Sequence, residues 1–212
     1  MLPILLAAAL VVPPSLATTS PTQGPAPGAA AEATAVFAGG CFWGVEGVFE
    51  HLRGVKSATA GYAGGTVASP SYEQVSSGST GHAESVRVVF DPAQISYKQL
   101  LAVFFSVAHD PTERNRQGPD VGTQYRSIVF YANDEEKREA EAYVAELTAK
   151  KVYPRPIVTE IVPLRGFYQA EDYHQGYMQR HPHQPYIVFN DAPKLVQLER
   201  QFPDLYRKPA GT

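Results

Sequence analysis

The sequence has a single cysteine, Cys41, and a single tryptophan, Trp43. One cysteine excludes any disulfide within the chain. It also excludes the two-cysteine half of a zinc deaminase signature, which His82-Ala83-Glu84 would otherwise suggest. No charge of one sign dominates, because 18 basic and 21 acidic residues give a net charge of −3. Composition therefore gives no electrostatic reason to expect nucleic acid or an anionic membrane surface as a partner.

A long hydrophobic run is also missing. The apolar run Leu2–Val12 is too short to cross a bilayer as a helix, which needs about 20 residues. With the small residues that follow, it is typical of a secretory signal peptide over residues 1–17, although the charged n-region is absent. Residues 18–34 are rich in Thr, Pro, Gly and Ala and predict a flexible spacer. We expect an exported, periplasmic or otherwise extracytoplasmic protein without a membrane span, with one domain over 35–205 and a tail over 206–212.

Cys41 lies between a short β-prone segment, Ala35-Val36-Phe37, and an amphipathic segment that predicts a helix from Phe42 onward. It is therefore expected at the helix N-terminus, where unpaired N–H groups and the macrodipole favour negative charge. That position predicts a thiol more acidic than its free pKa of about 8.5, and the thiolate is the nucleophile. Trp43 is turned about 100° from Phe42, so one ring can face the core while the other lines an opening. The alternative is a buried structural cysteine.

The remaining periodicity predicts strands and helices that alternate within one domain. Strands are expected over 55–62, 83–91, 125–131 and 157–162, and helices over 96–107, 133–151 and 167–178. Loops are expected over 66–81 and 112–124, and a loosely ordered tail, apart from a short helix near Leu195, after 178. This order predicts an α+β domain with a mixed sheet and packed helices.

Four blocks of the sequence resemble one known family. Gly40-Cys41-Phe42-Trp43-Gly44 resembles the active-site motif of the A-type peptide-methionine sulfoxide reductases. Three later blocks resemble the same family: Pro70-Ser71-Tyr72-Glu73-Gln74-Val75, Gly81-His82-Ala83-Glu84 and Gln117-Gly118-Pro119-Asp120-Val121-Gly122-Thr123-Gln124-Tyr125-Arg126-Ser127. The resemblance spans residues 35 to 205 and implies that family's α+β fold with a ferredoxin-like core. It also implies thiol-dependent reduction of methionine (S)-sulfoxide, free or in proteins, as repair after oxidative stress.

The resemblance further implies a role for each residue of the site. Cys41 would be the nucleophile, Glu84 the proton donor, and Asp120 an orienting group. Tyr72 and Tyr125 would donate hydrogen bonds to the sulfoxide oxygen. These residue types suit the chemistry, because oxide leaves only when it is protonated, burial keeps a carboxyl group protonated, and hydroxyl groups stabilise developing charge. The apolar wall for the substrate methyl group would be formed by Phe42 and Trp43.

The chain departs from many members of that family because it has no resolving cysteine. Its segment 183–195 resembles members that work with one cysteine. Oxygen transfer would leave Cys41 as a sulfenic acid, which condenses readily with a thiol. An external thiol reductant, such as a thioredoxin-like protein, would then regenerate the enzyme. No cofactor or metal is expected, and nothing in the sequence demands more than a monomer.

Three alternatives remain open from the sequence. A metal site is one, formed by histidines of the C-terminal region, His174, His181 and His183, although their spacing is poor. A hydrolase triad of Cys41 with His82 or His109 and an aspartate is the second. The third is a binding module that holds oxidised methionine without turning it over.

Overall fold

The computed structural model describes residues 32–208. The predicted signal peptide and nearly all of the predicted spacer lie outside the described residues, as does the end of the tail. Among residues 32–208, no helix is both long and apolar enough to cross a membrane.

Eight strands and six α-helices make up the described part of the chain. The strands are β1 (Ala33–Ala38), β2 (Val55–Ala63), β3 (Ala83–Phe90), β4 (Arg116–Gln117), β5 (Asp120–Val121), β6 (Ile128–Tyr131), β7 (Glu160–Pro163) and β8 (Phe167–Gln169). The α-helices are α1 (Phe42–Glu50), α2 (Tyr72–Ser76), α3 (Tyr97–Val103), α4 (Asp134–Ala149), α5 (Tyr177–Arg180) and α6 (Ala192–Gln201).

Six of the strands form one sheet in the order β7-β6-β1-β3-β2-β8. Only β6 and β7 pair in parallel, and the other neighbours are antiparallel. Strands β1 and β2 therefore run in the same direction on either side of β3, joined by α1, which is the split β-α-β unit of ferredoxin-like folds. The predicted α+β class with a mixed sheet is confirmed.

Helix α1 is buried on nearly every side. It packs against β2, α5 and α6, and on its sheet-facing side the rings of Phe37 and Phe49 stack with centroids 5.2 Å apart. Glu46, which the helical pattern places opposite the apolar stripe, is buried as well, because the C-terminal region covers that side. The residue that precedes this helix, Cys41, is thus held by a rigid element.

The predicted loop over 66–81 contains a short helix, α2. Ser71 begins it with a capping box, in which its hydroxyl accepts from the Gln74 N–H and the Gln74 side chain accepts from the Ser71 N–H. The strand predicted over 125–131 begins only at Ile128, because Tyr125 ends a 3-10 turn over Thr123–Tyr125. Helix α4 starts as predicted, at an Asn133 side chain that accepts from the Glu136 N–H.

Two predictions for the C-terminal third are wrong. Helix begins only at Tyr177 within the predicted range 167–178, because Phe167–Gln169 pairs with the end of β2 as an edge strand and turns follow it. Glycine at position 61 permits this pairing, because a Cβ atom there would lie 2.3 Å from the Phe167 ring. The short helix predicted near Leu195 is confirmed as α6, but the region before it is not loosely ordered, since a π-helical turn over Ile187–Asp191 leads directly into α6.

Candidate active site

Cys41 is the N-cap residue of α1, and it is only partly buried. The glycines on both sides of it are required by close packing. Gly40 has a φ of +91°, and a Cβ atom there would lie 2.6 Å from the Gln117 side chain. A Cβ atom at Gly44 would lie 2.0 Å from Oδ1 of Asp191. Cys41 therefore lies where tightly packed segments meet, and the residue as a whole keeps some exposure to solvent.

The first N–H group of α1 binds a carboxyl group that comes from the sheet. The Phe42 N–H donates to Oε2 of Glu84 over 3.0 Å. Glu84 reaches the helix from β3, the strand that lies between β1 and β2. The sheet and the helix thus bring a carboxyl group and a thiol to the same helix end, although 43 positions separate them in the chain.

Glu84 retains its proton at neutral pH. The side chain is 2 % exposed, and burial raises its pKa from 4.5 to about 8, with a further rise from the charge of Asp120 and against the lowering effect of the Phe42 N–H. At pH 7 the protonated form therefore predominates. Glu84 is therefore a protonated carboxylic acid at the N-terminus of α1.

The expectation of an acidic Cys41 thiol is wrong for the protein without substrate. Loss of hydration around the sulfur raises the pKa of Cys41 well above its usual value, and the charge of Glu84, once that group ionises, and the charge of Asp191 raise it further. The nearby N–H of Trp43 lowers the pKa of Cys41, but desolvation outweighs this effect. The resting thiol is therefore protonated at neutral pH.

Two tyrosine hydroxyls lie close enough to Cys41 and Glu84 to interact electrostatically with both. Tyr72 is the first residue of α2 and Tyr125 closes the 3-10 turn before β6. Burial raises the pKa of both, and the charge of Glu84 and that of a Cys41 thiolate raise both further. The tyrosines therefore stay protonated and available as hydrogen-bond donors beside the thiol.

Asp120 lies at the edge of the site and is oriented by a residue that sequence reasoning missed. The Tyr186 hydroxyl donates to Oδ2 of Asp120. Close by, Lys194 binds the buried Asp191 at 3.0 Å. The charges of Asp120 and Asp191 both act on Cys41. The sequence resemblance had already covered residues 183–195, but local patterns carried no sign that this segment returns to the cysteine.

The two aromatic residues after Cys41 have different surroundings. Phe42 is 1 % exposed, and its ring packs against Tyr62 and His174 with centroids 5.9 and 4.9 Å away. Trp43 is partly exposed and stacks on Tyr177 with centroids 3.7 Å apart and planes 9° apart. Trp43 is therefore the more open of the two aromatic side chains, and Phe42 belongs to the core.

The structure speaks against two of the alternatives. His82 accepts from the Gly65 N–H and bonds the Val67 carbonyl, and His109 bonds the Phe104 carbonyl and the Ser127 hydroxyl. Neither imidazole is therefore free to activate the thiol. Among residues 32–208, no three His, Cys, Asp or Glu side chains are grouped so that they could hold a metal ion.

Comparison with known proteins gives consistent matches in sequence and structure. Residues 33–205 match the family described as "Peptide methionine sulfoxide reductase". The chain is 54 % identical to "Peptide methionine sulfoxide reductase MsrA 2" of Mesorhizobium japonicum, covering 82 % of this chain and 89 % of that one. It is 50 % identical to the MsrA of Deinococcus radiodurans, covering 91 % and 93 %.

Two solved structures share the fold. The reduced form of Mxr1 from Saccharomyces cerevisiae superimposes with a TM-score of 0.66 at 35 % identity, covering 72 % of this chain and 87 % of that chain. Methionine sulfoxide reductase A of Corynebacterium diphtheriae gives a TM-score of 0.63 at 37 % identity, covering 71 % and 76 %.

Proposed function

The chain belongs to the peptide methionine sulfoxide reductase family and reduces methionine sulfoxide in protein repair, and we propose that Cys41 and Glu84 carry out this reaction. The observation that supports their roles most directly is the N-terminus of α1. There, Glu84 is buried and protonated near neutral pH, and its carboxyl group accepts from the N–H of Phe42, the residue that follows Cys41.

In the first step the Cys41 sulfur attacks the sulfoxide sulfur while Glu84 gives its proton to the sulfoxide oxygen. The thiol proton replaces the one that Glu84 gives up, so the carboxyl group ends as it began. The attack forms an S–S bond between Cys41 and the substrate. The protonated oxygen then passes from the methionine sulfur to the Cys41 sulfur as that S–S bond breaks, which leaves a sulfenic acid on Cys41 and releases methionine with its sulfur reduced. The high pKa of the resting thiol suits this scheme, because the thiol gives up its proton only when a sulfoxide is present to receive one.

Tyr72 and Tyr125 stabilise the oxygen as charge develops on it. Neutral hydroxyl donors that are fixed before the reaction lower the barrier without reorganising during it. Asp120, held by Tyr186, orients this side of the site. Trp43, supported by Phe42, contacts the methyl group of the substrate. The substrate is the (S) epimer, a preference that rests on the family resemblance.

The second half of the cycle uses an external thiol. With one cysteine in the chain, a first thiol of the reductant condenses with the sulfenic acid and releases water. A second thiol then attacks the mixed disulfide, so that Cys41 returns to a thiol and the reductant leaves as a disulfide. A thioredoxin-like protein provides two such thiols. The reductase itself acts as a monomer. Because residues 1–17 are typical of a signal peptide, we place it in an extracytoplasmic compartment. The reductant there is a thioredoxin-like domain that receives its electrons through the membrane.

Turnover of separated sulfoxide epimers tests this proposal. With dithiothreitol as reductant, the (S) epimer of a peptide methionine sulfoxide is expected to yield methionine and the (R) epimer to remain. Replacing dithiothreitol with candidate thioredoxin-fold donors then identifies the reductant. Equal turnover of both epimers contradicts the stereochemical assignment, and turnover by Cys41→Ser contradicts the mechanism. Cell fractionation with N-terminal sequencing of the mature protein tests the export.

A further inference from the structure

The segment 171–177, between β8 and the first turn of α5, lies against both sides of the proposed sulfoxide site. His174 is at its centre and is 1 % exposed. Its ring centroid lies 4.9 Å from that of Phe42, 5.8 Å from that of Trp43 and 4.5 Å from that of Tyr72. One imidazole thus touches the apolar wall and the residue proposed to donate to the oxygen.

Two residues of the segment contact the Trp43 indole, one at the edge of the ring and one on its face. The indole Nε1–H donates to Nδ1 of His174 over 3.1 Å, so the imidazole is neutral and carries its proton on Nε2. Burial lowers the pKa of His174, which favours this neutral form. Tyr177 stacks on the indole face at 3.7 Å between centroids. Few orientations of Trp43 satisfy both contacts.

The same segment fixes the start of α2. One carboxylate oxygen of Glu171 accepts from the Tyr72 N–H at 2.9 Å, and the other accepts from the Tyr62 hydroxyl at 2.8 Å. Helix α2 has only five residues, too few to be stable without outside contacts. The place of Tyr72 therefore depends on Glu171 as well as on the capping box.

The segment is itself anchored to the sheet and to α1. The Gln175 side chain accepts from the Ala60 N–H and donates to the Ala60 carbonyl, both at 3.0 Å. The Gly176 N–H donates to Oε2 of the buried Glu46 at 2.9 Å. Glu46 belongs to the same helix that Cys41 caps. The segment thus ties Trp43 and Tyr72 to the element that carries the thiol.

We propose that the segment 171–177 positions the two sides of the sulfoxide site separately, with His174 placing Trp43 and Glu171 placing Tyr72. The inference rests on the proposed function of Trp43 in substrate contact and of Tyr72 in oxygen stabilisation. His174 and Glu171 are positioning residues, because each acts through another residue. Their loss therefore affects different kinetic constants.

His174→Phe tests the first half of the proposal. Phenylalanine keeps a buried ring but leaves the indole N–H of Trp43 without an acceptor. We expect KM for a peptide sulfoxide to rise about tenfold with little change in kcat, in line with the cost of one unpaired buried donor. Trp43 is the only tryptophan, so intrinsic fluorescence reports on it directly, and its emission is expected to shift to longer wavelength. His174→Asn supplies a carbonyl acceptor and is expected to restore KM in part.

Glu171→Gln tests the second half. One amide oxygen replaces two carboxylate oxygens, so the Tyr72 N–H and the Tyr62 hydroxyl are no longer both satisfied. We expect kcat to fall about tenfold while KM and the Trp43 fluorescence stay near wild type, because a misplaced donor weakens the transition state rather than substrate binding. Asp172→Asn is the matched control, since it removes the same charge from an exposed neighbour and is expected to change neither constant.

A double-mutant cycle protects the test against a general loss of structure. In a Trp43→Phe background there is no indole N–H, so His174→Phe is expected to have little further effect on KM. An equal effect of His174→Phe on KM in the wild-type and Trp43→Phe backgrounds would overturn the proposal. The proposal would also be overturned if His174→Phe and Glu171→Gln changed kcat and KM in the same way. A wild-type protein that reduces no sulfoxide would instead overturn the proposed function, and the fluorescence of His174→Phe would still report on the Trp43 contact.

Discussion

Replacing Glu84 with glutamine removes the proton that the mechanism needs and keeps the shape of the side chain. The amide oxygen can still accept the Phe42 N–H, which now lies 3.0 Å from the carboxyl group. The amide is neutral, like the carboxyl group whose pKa burial raises to about 8, so the fold is expected to persist. What is lost is proton transfer, which is worth about 10²–10⁴-fold in rate. Because Tyr72 and Tyr125 remain as donors, we expect a loss near the lower limit, about a hundredfold.

Single-turnover kinetics without reductant measure this step alone. Enzyme in excess is mixed with a peptide (S)-sulfoxide, the reaction is stopped with acid, and methionine-containing peptide is quantified by chromatography. Glu50→Gln is the control, since Glu50 lies on α1 too and burial also raises its pKa, but it bonds Gln179 and not the site. Its single-turnover rate is expected to match wild type. A wild-type rate in Glu84→Gln would refute the role of Glu84 as proton donor.

Two further predictions concern the tyrosine donors of the site and the buried Glu46. Tyr72→Phe and Tyr125→Phe are each expected to slow the single-turnover step about tenfold, because each removes one hydrogen-bond donor to the charge that develops on the oxygen. The double variant is expected to be slower still. Tyr131→Phe serves as the control, and unchanged rates in the Tyr72 and Tyr125 variants would contradict the assignment. Glu46, whose pKa is raised by burial from 4.5 to about 8, binds a proton in the folded protein that the unfolded chain releases. Its contribution to the free energy of unfolding is therefore fully present below pH 4.5 and is lost as pH rises through 8. Between these two pH values the contribution falls by about 1.4 kcal/mol per pH unit. The urea-derived free energy of unfolding of Glu46→Gln should consequently fall less steeply over that window than that of wild type, and equal slopes would contradict the burial effect.

The position of Cys41 could be predicted from sequence because its causes are local. A short β-prone segment, two glycines and a helical apolar repeat follow one another within about twenty residues, so strand, turn and helix start are all encoded nearby. The Asn133 cap of α4 was predictable for the same reason. Its acceptor and donor lie three residues apart.

The acidity of the thiol could not be predicted in this way. The helix N-terminus is a local cause and favours a lower pKa, but desolvation of the sulfur, the charge of Glu84 once it ionises and the charge of Asp191 all raise the pKa. Those carboxyl groups lie 43 and 150 positions further along the chain. Their approach to Cys41 depends on the order of the sheet and on the path of the C-terminal region, neither of which has a local pattern.

The segment after residue 166 was misassigned for a related reason. Its aromatic residues occur at spacings that a helix also produces, yet Tyr168 pairs with Tyr62 across the sheet. Strand pairing over more than a hundred positions overrides a weak local preference. The residues that hold Trp43 and Asp120 in place, His174 and Tyr186, follow this segment in the chain. They became recognisable as parts of the site only in the folded chain.

The fate of the Cys41 sulfur after one turnover tests the central claim most directly. The thiol form is mixed with one equivalent of a peptide methionine (S)-sulfoxide in the absence of reductant, and dimedone is added to trap sulfenic acid. The mechanism predicts one methionine per protein and a dimedone adduct on Cys41, identified by peptide mass spectrometry. Methionine formed while Cys41 remains an unmodified thiol would contradict it.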